Sequence, residues 1–307
     1  MSTPRWQKNT GILKRLLVWA LILACWETAF RASGWTWVRG AEQSILGAQY
    51  EWKATTFPAP SHVIDAILGM LNIHTGFGEP LHPGWPRPID NAAPTGIGRI
   101  LNSDLVRATI ISLTRLVVGF VVSITLGATL GLLMWRFDAI DQFIGPLFLG
   151  LQTLPSVCWV PLAILCFGIN EQGILFVLVM GSFSAAALSL RDGLRNIPPL
   201  YPRAGLMLGA SGWRLYVYIL LPASLPALAG SLRTGFSFAW RSLMGAELIF
   251  PVEKYRGIGF LLETGRDFSD VAQVVAVMII MVVIGMIADR WIFAVLQRRI
   301  QARFGLA

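Results

Sequence analysis

Charge is scarce in this sequence: 14% of its 307 residues are Asp, Glu, Lys or Arg, against 55% hydrophobic. A soluble globular domain has about a quarter of its residues charged, so an ordinary water-soluble fold is excluded and lipid is the expected solvent. Lysine is scarcer still. Four lysines stand beside 21 arginines at a formal charge of +8, yet there is no basic run and no aromatic platform in a polar segment, which excludes a nucleic-acid footprint. The three cysteines, Cys25, Cys158 and Cys166, lie in apolar runs without a CxxC pair and are expected to be small buried hydrophobes. The three histidines, His62, His74 and His82, fall in one polar connection without metal-site spacing and are expected to be loop residues. No Gly-Lys pair, HExxH or GxSxG occurs, so the chain has no phosphate-binding loop of its own and no recognisable hydrolase centre. No catalytic or metal-ligating residue is assigned.

What the chain has instead is apolar length. Scanning for runs of about 20 residues gives six candidate spans, at about 12–30, 109–134, 143–167, 173–190, 222–250 and 271–296. The first follows a basic start and could be a signal peptide, but no small-x-small cleavage site follows it, so it is expected to stay as an anchor. Arginine and lysine before the first span, after the second, between the fourth and fifth, and after the sixth place both termini in the cytoplasm. Four segments result: a tail and first span over 1–30, an external connection over 31–104, a core over 105–296, and a cytoplasmic tail over 297–307. The external connection holds PAPSHVIDAILGML, where Pro60 and Ser61 start a short helix at the membrane surface, and then a proline-rich irregular loop.

Gly119, Ser123, Gly127 and Gly131 recur every fourth residue in the second span, a stripe that lets helices approach closely within the same bundle. Arg115 in that span, and Arg233, Arg241 and Glu247 in the fifth, are charges in a costly place. Together with Ser237 they are candidates for lining a pathway of positive character. The favoured reading is structural, with the arginines paired to Glu247 and to backbone carbonyls or snorkelling to an interface.

Between the fourth and fifth spans lies AGLMLGASGWRLYVYILLPASLP, helix-compatible but interrupted by Gly205, Gly209 and Gly212. Its small residues give a bare face for another protein, Trp213, Tyr216 and Tyr218 suit the membrane interface, and Pro222 sits at the first turn of the next helix. Ala204, Gly209, Ile219, Leu221 and Pro222 match in register the EAA, three residues, Gly, nine residues, Ile-x-Leu-Pro signature, and the chain here resembles the permease subunits of bacterial ABC importers. FPAPSHVIDAIL, SLTRLVVGFVVSITLGATLG, LQTLPSVCWVPLAILCFGI and LRTGFSFAWRSLMGAEL are similar to segments of the nitrate, aliphatic sulfonate, taurine and bicarbonate permease group, over most of residues 57–296. Two positions depart from the signature: Arg203 replaces its Glu and Gly205 its second Ala. The proline-rich insert after Leu71 is also longer than is usual in the group.

The resemblance implies an all-α membrane protein with the type I ABC importer architecture of about six spans. The coupling loop 191–222 would dock the partner, with Arg203, Ala204, Gly205, Gly209, Ile219, Leu221 and Pro222 as its contact residues. It implies a pore of two permease copies, two ABC ATPase subunits that carry ATP and Mg, an external solute-binding protein, and a small solute as cargo, an anion such as a sulfonate, nitrate or bicarbonate. The chain itself would bind no cofactor and catalyse nothing. A secondary transporter or channel would also suit six spans and intramembrane charges, but would leave the glycine-to-proline loop without a purpose.

Overall fold

The computed structural model describes residues 18, 20–28, 58–71, 103–250, 252 and 255–303, with the side chains at 213, 216, 221, 301 and 303 outside the description. The basic start, the proline-rich loop, most of the external connection, His74, His82 and the last four residues therefore lie outside the described residues. Of the first span, residues 20–28 are helical.

The described residues are helical, with no strand. In order they form α1 (Pro60–Met70), α2 (Asp104–Arg136), α3 (Asp138–Thr153), a 3₁₀ turn (Ser156–Trp159), α4 (Val160–Phe167), α5 (Glu171–Arg195), α6 (Leu200–Met207), α7 (Leu221–Ile249), α8 (Ile258–Asp267), α9 (Val271–Ile287) and α10 (Ala294–Arg303). π-helical turns at Tyr216–Leu220 and Ala288–Phe293 lead into α7 and α10. Three continuous helices have the length and apolarity of membrane spans: Asp104–Arg136, Glu171–Arg195 and Val271–Ile300. The 29-residue α7 has the length, but Arg233, Arg241 and Glu247 dilute its apolarity.

The expected span over 143–167 is sharply bent, with the geometry of a broken span or a re-entrant pair. α3 and the Ser156–Phe167 pair meet at a bend of 102°, because Leu154 adopts an extended conformation (ψ 120°), as a residue before proline tends to do. His62, expected in a loop, sits in α1. The cysteines are corrected: all three are free and exposed on the isolated chain. Apolar runs turn some faces outward in a membrane protein, so an apolar neighbourhood does not mean burial within the chain.

The described chain forms two bodies, one of residues up to Val106 with Leu262–Ile279 and the other of Arg107–Leu261 with the residues from Ile280 on. In the first, Ser103 caps α2 by accepting from Val106 N. α8 ends there in a left-handed Ser269 (φ 56°), with Asp270 N donating to Gly265 O at 2.8 Å.

The second body is built on α5. Its glycine-facing contacts with α2 are close enough to exclude a Cβ. A methyl at Gly127 would lie 2.7 Å from Phe183 O, one at Gly131 2.7 Å from Ala187 O, and one at Gly119 2.7 Å from the Leu178 side chain. Ser123 completes the stripe with a 2.7 Å hydrogen bond to Ser182. Ser182 spends its own proton on Leu178 O, so Ser123 is the donor. The stripe thus packs within the chain, as its spacing predicts. Leu116, Ile174, Val177, Leu178, Phe236, Leu243 and Phe250 form the main apolar core, with Phe293 stacked 4.6 Å from Phe236.

Candidate functional site

The segment between α5 and α7 is a helix, a tight turn and a second helix, where the sequence predicts one interrupted helix. α5 runs out at Asn196, and Pro198 and Pro199 lead into α6. α6 closes with a Schellman arrangement: Gly209 N donates to Leu206 O at 3.0 Å and Ala210 N to Gly205 O at 2.9 Å. This geometry places Gly209 at φ 79°, and Gly212 follows at φ 54°. A Cβ at Gly209 would meet nothing within 4 Å. The glycine of the signature is therefore required here by backbone conformation and not by lack of room.

Gly205 is required for the opposite reason. A Cβ there would come within 2.2 Å of Ile219 Cδ1 and 2.8 Å of Leu215 Cδ1, so α6 lies directly on the helical run into α7. Two signature positions fourteen residues apart thus touch. Pro222 occupies the first turn of α7, where a missing N–H costs little, but the chain is already helical from Trp213, so Pro222 continues a helix and does not restart one. Ala204, Ile219 and Pro222 are half-buried and Arg203 is exposed; the Leu221 side chain lies outside the description. In the spacer between these signature positions, Met207 and Leu208 are 82% and 86% exposed.

The five candidate pathway residues do not come together as one group. Arg115 and Glu247 form the centre of a buried cluster. Arg115 Nη1 donates to Glu247 at 2.8 Å, and its Nε donates to Glu171 at 2.7 Å. Nη2 donates to Glu171 as well, and to Tyr255 O at 2.6 Å. Ser112 donates to Glu247 at 2.7 Å and accepts from Ile258 N at 2.9 Å, and Gly259 N donates to Glu247 at 3.1 Å. Glu247 thus caps the first turn of α8 from a distance, with the positive end of the α8 dipole beside it. Glu247 is 1% exposed and Arg115 6%, while the Glu171 side chain keeps 34% of its surface. One arginine and two carboxylates leave this cluster a formal charge of −1, and the Arg115–Glu247 pair is the arrangement that the structural reading of these charges expects, in place of a positive lining.

Arg233 is also neutralised, by a two-pronged pair with Asp289 at 2.6 and 2.7 Å. Arg241 is exposed, lies 4.5 Å over the Phe238 ring and donates to Ser237 O. Arg233, Ser237 and Arg241 are nevertheless all exposed, one helical turn apart on α7, so they mark one face of that helix. A second charged group, unforeseen as such, ties α3 to the end of α5: Arg191 to Asp141 at 2.8 Å, and Arg195 to Asp141 at 2.8 Å and Asp138 at 3.2 Å. The arginines were visible as orientation signals. Their partners Glu171, Asp289 and Asp141 were not singled out, although a carboxylate at the start of or within an apolar run is itself a signal. Among the described residues no three His, Cys, Asp or Glu side chains are grouped to hold a metal ion.

These features define a polytopic all-α membrane protein with a helix-turn-helix element attached to two of its long helices. Residues 123–302 match the family model described as the binding-protein-dependent transport system inner membrane component. The chain belongs to that family and is a transmembrane permease subunit of an ABC importer. It is 30% identical over 193 residues to a Methanocaldococcus jannaschii protein assigned by inference as an ABC transporter permease, covering 63% of this chain and 72% of that one. It is 28% identical over 198 residues (64% and 70%) to the bicarbonate transport system permease protein of Synechococcus elongatus. It is 27% identical over 189 residues (62% and 67%) to the taurine transport system permease protein of Escherichia coli.

Proposed function

We propose that the segment from Arg203 to Pro222 is the docking element for a separate ABC ATPase, and that the chain imports a small anion delivered by an external solute-binding protein. The observation that carries the docking role is the geometry of α6. It is a short helix seated through Gly205 on Leu215 and Ile219, closed by Gly209, with Leu206, Met207 and Leu208 more than half exposed. A connection that ends in three consecutive exposed apolar residues needs a cover, and a rigid seat on the run into α7 turns a push on the cover into movement of a long helix. ATP and Mg belong to the ATPase, since this chain has no phosphate-binding loop. Both termini then lie in the cytoplasm.

Cargo is supported by different observations. The relatives' names specify bicarbonate and taurine, both small anions or zwitterions. The Arg233–Ser237–Arg241 face of α7 is polar and exposed on a helix long enough to cross the membrane, so it avoids lipid by facing water or a second copy of this chain. Of its two arginines, Arg241 is the one without a carboxylate partner among the described residues, and it is the residue to meet an anion. Arg115 and Glu247 serve the bundle.

The test is copurification. The full chain should carry an ATPase through two purification steps, and Gly209→Trp, which projects bulk into the open space beside Leu208, should release it. Transport that continued without a bound ATPase would overturn the reading. A thermal-shift panel of bicarbonate, nitrate, taurine and alkanesulfonates on the partner binding protein identifies the cargo.

A further inference from the structure

We propose that α5 is a rigid rod between the docking segment and a latch at its opposite end, and that the latch is the Arg115–Glu171 ion pair. The proposal rests on the importer reading above.

α5 is 25 residues without a break, about 37 Å long. Five residues after its last turn the chain enters α6, so movement of the docking segment is applied to this end of the helix. From Gly181 to Gly193 the contacts of α5 with α7 and with the glycine stripe of α2 are between small groups, while Phe183 and Leu188 pack in a cluster with Phe148 of α3 and Met134 of α2. Gly193 faces Ala227 and Gly181 faces Ser242 on α7; Ala186 meets Gly235 of α7 and Gly127 of α2, and Ala187 meets Gly131. Surfaces of this kind are close but nearly smooth. A small axial shift or tilt crosses these small-residue contacts without new rotamers, and Phe183 keeps its partner Phe148 because Arg191 and Arg195 tie α3 to α5.

Besides the Ser123–Ser182 hydrogen bond near its middle, the directional side-chain contacts of α5 are ion pairs at its two ends. Arg191 and Arg195 hold Asp141 and Asp138 at the docking end, and Glu171, in the first turn of α5, holds Arg115 at the other. The two ends differ in what release would leave behind. If Glu171 withdraws, Arg115 keeps Glu247 and Tyr255 O, a neutral pair in the buried site, and the departing carboxylate, already one-third exposed, gains water. If Glu171 returns, it restores a bidentate bond but leaves the cluster with an excess negative charge. Attraction and hydration therefore offset each other at this one joint, which makes it switchable. The Arg115–Glu247 contact is not, because separating it strands a charge at 1% exposure.

The experiment uses the complete transporter in proteoliposomes, with ATP hydrolysis measured without and with the solute-loaded binding protein. E171Q keeps the side chain's size and loses its charge; R115K keeps the charge opposite Glu247 and loses the fork that holds Glu171. Each should raise hydrolysis without binding protein about fivefold, at the low end of known allosteric couplings, with the complex intact by gel filtration. The double variant should rise no further than either single one. An unchanged basal rate, effects that multiply in the double variant, or variants that only dissociate the complex would each overturn the latch. A wild-type chain that binds no ATPase would instead overturn the importer reading, so the two failures are distinguishable.

Discussion

Glu247 and Gly209 show how differently single residues act here. Glu247 is enclosed by backbone: a Cβ on Gly257 would lie 2.4 Å from its oxygens and one on Gly259 2.5 Å from its Cβ. Truncation to Ala leaves the Ser112 hydroxyl and Gly259 N–H without their acceptor and should destabilise the purified chain by about 3 kcal/mol or more. E247Q should cost less, and R115A more than E171A, because it leaves two carboxylates facing each other; thermal unfolding in detergent gives the order. Gly209 stands in open space within the chain, so for the stability of the chain by itself only its φ matters. G209A should cost about 1 kcal/mol and G209N less, since Asn tolerates the left-handed region, with the same melting assay as the readout. Arg203 stands where the signature has a carboxylate. If its ATPase has adapted to that charge, R203E should weaken ATPase retention more than R203Q does.

For the elements, glycine falls into two classes that the sequence does not distinguish. Gly127 and Gly131 sit against backbone oxygens that cannot move aside, so G127A and G131A should force α2 and α5 apart and cost about 1–3 kcal/mol. Gly69 and Gly150 have nothing within 4 Å, so G69A and G150A should be neutral or raise stability by about 0.5–1 kcal/mol. A melting series across the four positions checks this. The spacing of the α2 stripe was legible because a four-residue repeat is a property of one helix. The 102° break at Pro155 was less so: a proline in an apolar run marks a bend, but its angle depends on what packs on both sides. The π-helical run into α7 left no signal at all.

At the scale of the molecule, long exposed apolar faces, such as Phe143 at 80% and Leu165 at 84%, coexist with one exposed polar face on α7. With Cys25, Cys158 and Cys166 replaced by Ala, cysteines at Ser237 and Arg241 should react in the membrane with a charged thiol reagent. Cysteines at the exposed apolar positions Val117 and Val121 should not. Equal labelling at all four positions would remove α7 from the pathway.

The sequence by itself determined that this chain lives in lipid, that it is helical, and that a signature segment joins two of its long helices, because apolar length, helical repeat and motif spacing are all properties of contiguous residues. Only the tertiary structure decided which charges meet. Arg115 found Glu171 fifty-six residues away and Glu247 132 away; Glu171, unforeseen from the sequence, gives the cluster its net negative charge. Charge pairing is a matter of distance in space, and in a low-dielectric bundle that distance, not the count of arginines, sets the sign of the site.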